Sequence, residues 1–249
     1  MEAPRGFYQP IHWLARLRVS EATMPRPLAW GYRAALCDED AGSANATLPV
    51  HLLSDVPGYT FDALNGRRRS ELRTSRRRAT IVQLVGPGLL REQGFEVKRS
   101  AVQRTGYGRA GSRELYLAHL DHYFGSPSQL VLAGIVDGRL GGYLTGTRVH
   151  DTAYVDNTII STDALRSRIG TAMVFEFVQA CRRGGVREVV RGLHSPENPS
   201  LVSYKEDLGF RVTRVPARVT INRCVAPVVR RRRPHAYYRL TGASAIPLS

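Results

Sequence analysis

The segment Ser167-Arg168-Ile169-Gly170-Thr171-Ala172 places small residues where the surrounding pattern opens a helix. A turn of this kind leaves several backbone N–H groups unpaired and aimed at one point, and the helix dipole adds positive potential there. Gly170 lets a ligand reach the main chain, Ala172 keeps the first turn uncluttered, and Arg166 and Arg168 supply flanking cations. Such a turn can bind an anion, a pyrophosphate above all. A second chemically loaded stretch runs from Asn198 to Phe210, with Tyr204 and Lys205 at its middle. Both can protonate a leaving group, and Lys205 can also stabilise an oxyanion. Lys205 is one of only two lysines among 36 basic residues, which singles it out.

Three further groups can take a proton. Asp156 lies mid-strand in Tyr154-Val155-Asp156-Asn157-Thr158, His194 follows an apolar strand and titrates near neutrality, and Glu197 stands three residues on. Each also has a plain structural reading: a cross-strand partner for Asp156, a loop-ordering hydrogen bond for His194. The histidines form no HxxxH or HxH pair, and Cys37, Cys181 and Cys224 have no metal-type spacing. A metal site is therefore not expected, and the thiols read as reduced.

The elements that must position these residues follow from periodicity and punctuation. Residues 1–60 are broken by prolines into short apolar stretches, and 62–78 form a basic helix. A β-branched strand covers 79–85, a helix opened by Pro87 runs to about 104, and another follows Ser112. Strands at 129–136, 139–147 and 153–160 come next, the first two joined by the hairpin signal Asp137-Gly138. Then come a helix at 168–183 stopped by Gly184-Gly185, a strand at 186–193 and a helix at 199–208. Short strands at 211–215 and 218–221 complete the order.

From residue 79 this order is β-α-α-β-β-β-α-β-α-β-β, and it resembles, over roughly 79–222, the GNAT superfamily of acyl-CoA N-acyltransferases. The segment 167–172 is similar to that family's pyrophosphate loop, with Ser167 where the family has Gln or Arg. Residues 198–210 are similar to the segment in which many members carry a proton-donating Tyr. Asn198, Leu208, Gly209 and Phe210 fall in register there, but Lys205 takes the Tyr position and Tyr204 stands one residue earlier. The resemblance implies an α/β fold with a mixed sheet, the GNAT-like acyltransferase domain at 79–222. An N-terminal extension (1–78) and a basic C-terminal tail (223–249) flank it. It implies acetyl-CoA, or another acyl-CoA, as co-substrate. The amides of Arg168, Ile169, Gly170, Thr171 and Ala172 would hold its diphosphate. The main chain of Ile159, Ile160 and Ser161 would pair with its pantetheine arm, and Asn198 would complete the set. Asp156 occupies a position where relatives often direct a carboxylate at the acceptor amine, and no Cys holds a nucleophile position, so attack would be direct. A weaker similarity, in the Arg-rich stretch 68–78 and in Tyr204-Lys205 before Gly209-Phe210, points to the Fem-type branch, whose donors are aminoacyl-tRNAs.

Charge narrows the partners. The 249 residues carry 36 Lys plus Arg against 21 Asp plus Glu, a formal net charge of +15. At 43% hydrophobic and 23% charged the chain is globular in composition, which excludes a disordered or collagenous protein. No run of eighteen apolar residues is present, so no membrane-spanning helix is expected, and the N-terminus lacks the pattern of a secretory leader. The expected location is the cytoplasm. The runs Arg67–Arg69, Arg76–Arg78 and Arg230–Arg233 suit phosphate-bearing partners. Arginines of the tail lining an acceptor cleft would favour an acidic amine acceptor, such as a nucleotide-linked sugar or a phosphorylated glycan precursor. A nucleic-acid or anionic-surface binding module on an inactive acyltransferase scaffold is the alternative outside enzymology.

Overall fold

The computed structural model describes residues 6–26, 29–106 and 108–243, apart from the side chain of residue 122. Along the chain lie β1 (Phe7–Tyr8), β2 (Arg16–Leu17), β3 (Gly31–Leu36), β4 (Ala46–Leu53), α1 (Gly66–Arg78) and β5 (Ala79–Gln83). α2 (Phe95–Thr105), α3 (Arg113–Phe124), β6 (Gln129–Val136), β7 (Arg139–Val149), β8 (Thr152–Ile160) and α4 (Ile169–Arg183) follow. The last elements are β9 (Glu188–Leu193), α5 (Pro199–Asp207), β10 (Arg211–Ile221), α6 (Ala226–Arg232) and α7 (Pro234–Thr241). They divide into two compact units that are not consecutive stretches: 1–51, 193–206 and 211–249 form the first, 52–192 and 207–210 the second.

In the first unit the strand order is β1-β3-β10-β4, with β2 also against β3. β3 is buried along its whole length and pairs antiparallel with β10 from Gly31↔Ile221 to Ala35↔Ala217. The irregular N-terminal stretch thus supplies central strands. β10 is one strand rather than the two read on either side of Pro216. The tail folds back within this unit: the Arg33 guanidinium donates to the Arg239 carbonyl (2.9 Å) and Arg214 to that of Gly242 (3.2 Å). Arg230–Arg233 stay exposed, and residues 244–249 lie outside the described residues.

In the second unit the order is β9-β8-β7-β6-β5. The β6–β7 hairpin turns on Asp137 and Gly138, both with positive φ (49° and 75°), as a primed turn requires. β7 is rich in glycine because α4 presses on it: a Cβ at Gly146 would stand 2.3 Å from the Phe177 ring. On the unit's other face, Leu90, Val97, Tyr116 and Leu120 pack on Val131, Ala133, Leu140 and Tyr143. Two irregularities shape β8. Its register against β7 shifts between Thr145↔Asn157 and Gly146↔Val155, leaving Asp156 on a bulge. Its parallel pairing with β9 covers only Thr152–Tyr154 against Glu188–Val190. Beyond Tyr154 the two strands part, and Gly192, at φ 75°, turns the β9 main chain out of strand geometry.

Candidate functional site

The parting of β8 from β9 leaves the main chain from Val155 to Ile160 paired with β7 alone, so this edge can take an extended ligand as an added strand. Asp156 marks its start. The Thr147 hydroxyl donates to Asp156 Oδ2 at 2.7 Å, and the Tyr123 hydroxyl shares its proton between that oxygen (3.2 Å) and the Gly146 carbonyl (2.9 Å). Burial first, and then the Asp156 charge, push the Tyr123 phenol far above its ordinary range, so it remains a donor. Neither Tyr123 nor Thr147 was legible as a site residue. Both belong to elements that read as core helix and strand, and only the bulge turns Asp156 toward them.

At the far end of β8, Ser161 N–H donates to the Gly141 carbonyl (2.9 Å) and Arg104 to that of Ile160 (3.0 Å). Ile159, Ile160 and Ser161 are half-buried. A 3-10 turn over Asp163–Ser167 follows, closed by the buried Ser167 hydroxyl donating to the Ala164 carbonyl at 2.6 Å. Ser167 thus spends its side chain on the turn, while Arg166 and Arg168 stay exposed. Arg168, at φ 58°, stands in the left-handed region, at a cost of roughly 1–2 kcal/mol, and opens α4. Ile169, Gly170, Thr171 and Ala172 are all buried.

What lies over this helix start is α1. Asn65 caps α1 by accepting from Arg68 N–H (2.9 Å), and α1 buries Arg68, Leu72 and Ser75. Glu71 Oε2 accepts from the Thr171 hydroxyl (2.7 Å) and from Arg68 Nη1 (2.6 Å). Arg68 Nη2 reaches Asp207 Oδ2 (3.0 Å), and Asn65 donates to the other oxygen of Asp207 (2.8 Å). Burial pushes the Glu71 carboxyl up, but Thr171, Arg68 and Arg168 outweigh it and hold it below the usual carboxylate range. The helix read as a wholly basic surface element turns an ion-paired face inward.

The remaining candidates belong to the first unit. His194 Nδ1 lies 3.3 Å from Nε2 of the fully buried His51, and Tyr238 stands edge-on to the His194 ring with centroids 6.0 Å apart. Lys205 is buried and donates to the Leu193 carbonyl (3.3 Å), while Tyr204 is half-buried. Asn198 accepts from Leu201 N–H (3.1 Å), the bond that starts α5. Glu197 pairs with Arg239, and its other oxygen lies 3.6 Å from His235. His51 escaped the sequence reading because it lies more than a hundred residues from His194, whereas Tyr238 belongs to a tyrosine pair whose apolar area already suggested packing. No group of three His, Cys, Asp or Glu able to hold a metal occurs among the described residues.

Burial, and then the Lys205 charge, lower the His194 pKa. Below the ordinary imidazole value of about 6.5 the unfolded chain therefore binds a proton that the folded chain resists, so stability falls as pH falls. The melting temperature should drop between pH 7.5 and 5.5, and the drop should shrink in His194→Gln. An equal drop in both proteins would assign it to other groups.

No family profile matches the sequence, and no curated protein matches it. Solved structures do. The C-terminal domain of a lysylphosphatidylglycerol-synthetase-type protein from Agrobacterium fabrum matches with a TM-score of 0.58 at 13% identity, over 87% of this chain and 73% of that one. FemX matches with a TM-score of 0.60 at 9% identity, over 74% of this chain and 63% of FemX. An aminoglycoside N-acetyltransferase in complex with coenzyme A matches with a TM-score of 0.44 at 15% identity, over 55% of this chain and 91% of that enzyme. At such identities the likeness is one of fold: a mixed α/β fold shared with FemX and the Agrobacterium domain.

Proposed function

We propose that the chain is an acyltransferase that moves an acyl group, acetyl first among candidates, from an acyl-CoA thioester to an amine by direct attack. The open edge of β8 beside the Asp156 bulge carries this reading. The main chain over Ile159, Ile160 and Ser161, apart from the Ser161 N–H and the Ile160 carbonyl already engaged by Gly141 and Arg104, would pair with the amides of a pantetheine arm, and a backbone N–H on this edge could polarise a carbonyl. Arg166, Arg168 and the start of α4 suit its diphosphate. When bound, the thioester supplies an activated acyl group. Asp156, aligned by Thr147 and Tyr123, would take the proton that an ammonium acceptor must lose before it attacks. His194 and Lys205 remain acid–base candidates within the first unit, and the exposed Arg230–Arg233 would favour an acidic acceptor such as a phosphorylated glycan precursor. No helix of the described residues is long and apolar enough to cross a membrane, and the cytoplasm is where acyl-CoA would be met.

Calorimetry with acetyl-CoA tests the reading. Arg168→Glu should bind at least ~10-fold more weakly, because it replaces a cation by an anion at a helix N-terminus while leaving the core untouched. Equal affinity in the folded variant would remove the diphosphate assignment.

One observation favours a second donor. Arg67, Arg73, Arg76, Arg77 and Arg78 are exposed on α1, and the guanidinium groups of Arg73 and Arg76 lie 5.3 and 5.6 Å from the centre of the Phe61 ring. Arginines and an aromatic ring suit the phosphates and bases of an aminoacyl-tRNA. Steeply salt-dependent tRNA binding, with no affinity for acetyl-CoA, would decide for that donor.

A further inference from the structure

We propose that Glu71 sets the phosphate affinity of the donor site, acting as a built-in competitor that keeps a diphosphate-bearing carrier loosely held. The inference rests on the acyl-CoA reading. Its ground is the contact between α1 and α4: Glu71, a hundred residues from Thr171, accepts the Thr171 hydroxyl proton at 2.7 Å, and its side chain is only 12% exposed. A hydroxyl has one proton. While Glu71 holds it, a phosphate at the start of α4 lacks that donor, and a phosphate that claims it must part Thr171 from Glu71.

Charge acts in the same direction. The first turn of α4 carries no acidic residue of its own, so its positive potential is met by Glu71 from the neighbouring helix. Arg68 is turned away from any ligand, since its two terminal nitrogens are held by Glu71 and Asp207. Neutralising Glu71 would both lift a repulsion and leave Arg68 with an unspent charge. Because the same diphosphate is present before and after transfer, Glu71 weakens substrate and spent carrier alike. That raises KM and speeds release of the product without serving the chemical step.

The test compares coenzyme A with pantetheine, which lacks the phosphates, in the wild-type chain and in Glu71→Gln, which keeps an acceptor for Thr171. The expected result is a gain of about 10-fold in coenzyme A affinity, an unchanged pantetheine affinity, and a fall in KM for acetyl-CoA with no rise in kcat. In the wild type, the phosphates should add less than ~10-fold over pantetheine, a measurement that does not depend on the variant folding. Equal coenzyme A affinity in both proteins, or a wild-type phosphate contribution of about 100-fold or more, overturns the role of Glu71 alone. If neither coenzyme A nor pantetheine binds the wild type, the acyl-CoA reading falls and takes this inference with it.

Discussion

Arg68→Met should destabilise the second unit by about 3–5 kcal/mol, the usual consequence of removing one partner from a buried ion pair. The Arg68 side chain is 4% exposed and joins Glu71 to Asp207, which come from separate parts of the chain. Methionine fills much of the same volume, so the loss would be electrostatic rather than a cavity. Two part-buried carboxylates would be left without the cation that joins them. Denaturant unfolding reads the effect, and the thermal midpoint should fall by roughly 10 °C or more for a chain of this size. Adding Glu71→Gln to Arg68→Met should cost less than the sum of the two single changes, because each already breaks the same pair. A loss below ~1 kcal/mol would place the network with solvent-screened surface pairs.

Asp156→Asn should lower kcat by about 100- to 10,000-fold while KM for the acyl donor stays within a few-fold, the mark of a lost general base. The amide can still accept from Thr147 and Tyr123, so the bulge should keep its shape. The pH–rate profile should change with the loss of the carboxylate. A variant with wild-type turnover would pass the proton to His194 or to water.

Local chemistry made much of the second unit legible. Asp137-Gly138 dictates a primed turn, Gly184 ends α4, and the order of strands and helices after residue 79 follows from periodicity. The first unit was opaque because its sheet is built from residues that are remote in sequence. β3 is a central strand only because β10 arrives nearly two hundred residues later to pair with it. Pro216 read as a break, but the β3–β10 pairs begin at Ala217, so the missing N–H falls outside that ladder. α1 misled for a related reason. An arginine is expected in water, and nothing near Arg68 in sequence announces Asp207. In the candidate site, Asp156 and the 167–172 segment stood out as candidates by residue type, spacing and family resemblance. Tyr123, Thr147, Glu71 and His51 had no such signal, since each matters through a partner supplied by folding.

The distance along the chain between Arg68 and Asp207 also sets a timetable for synthesis. At 139 residues apart and an elongation rate of about 5–20 residues per second, the guanidinium leaves the ribosome roughly 7–28 s before its second carboxylate. In that interval Arg68 has Glu71, three residues on in its own helix, but not yet Asp207. A nascent chain arrested before residue 207 would hold strands β5 to β9 and still lack the Asp207 carboxylate that closes the Arg68 network.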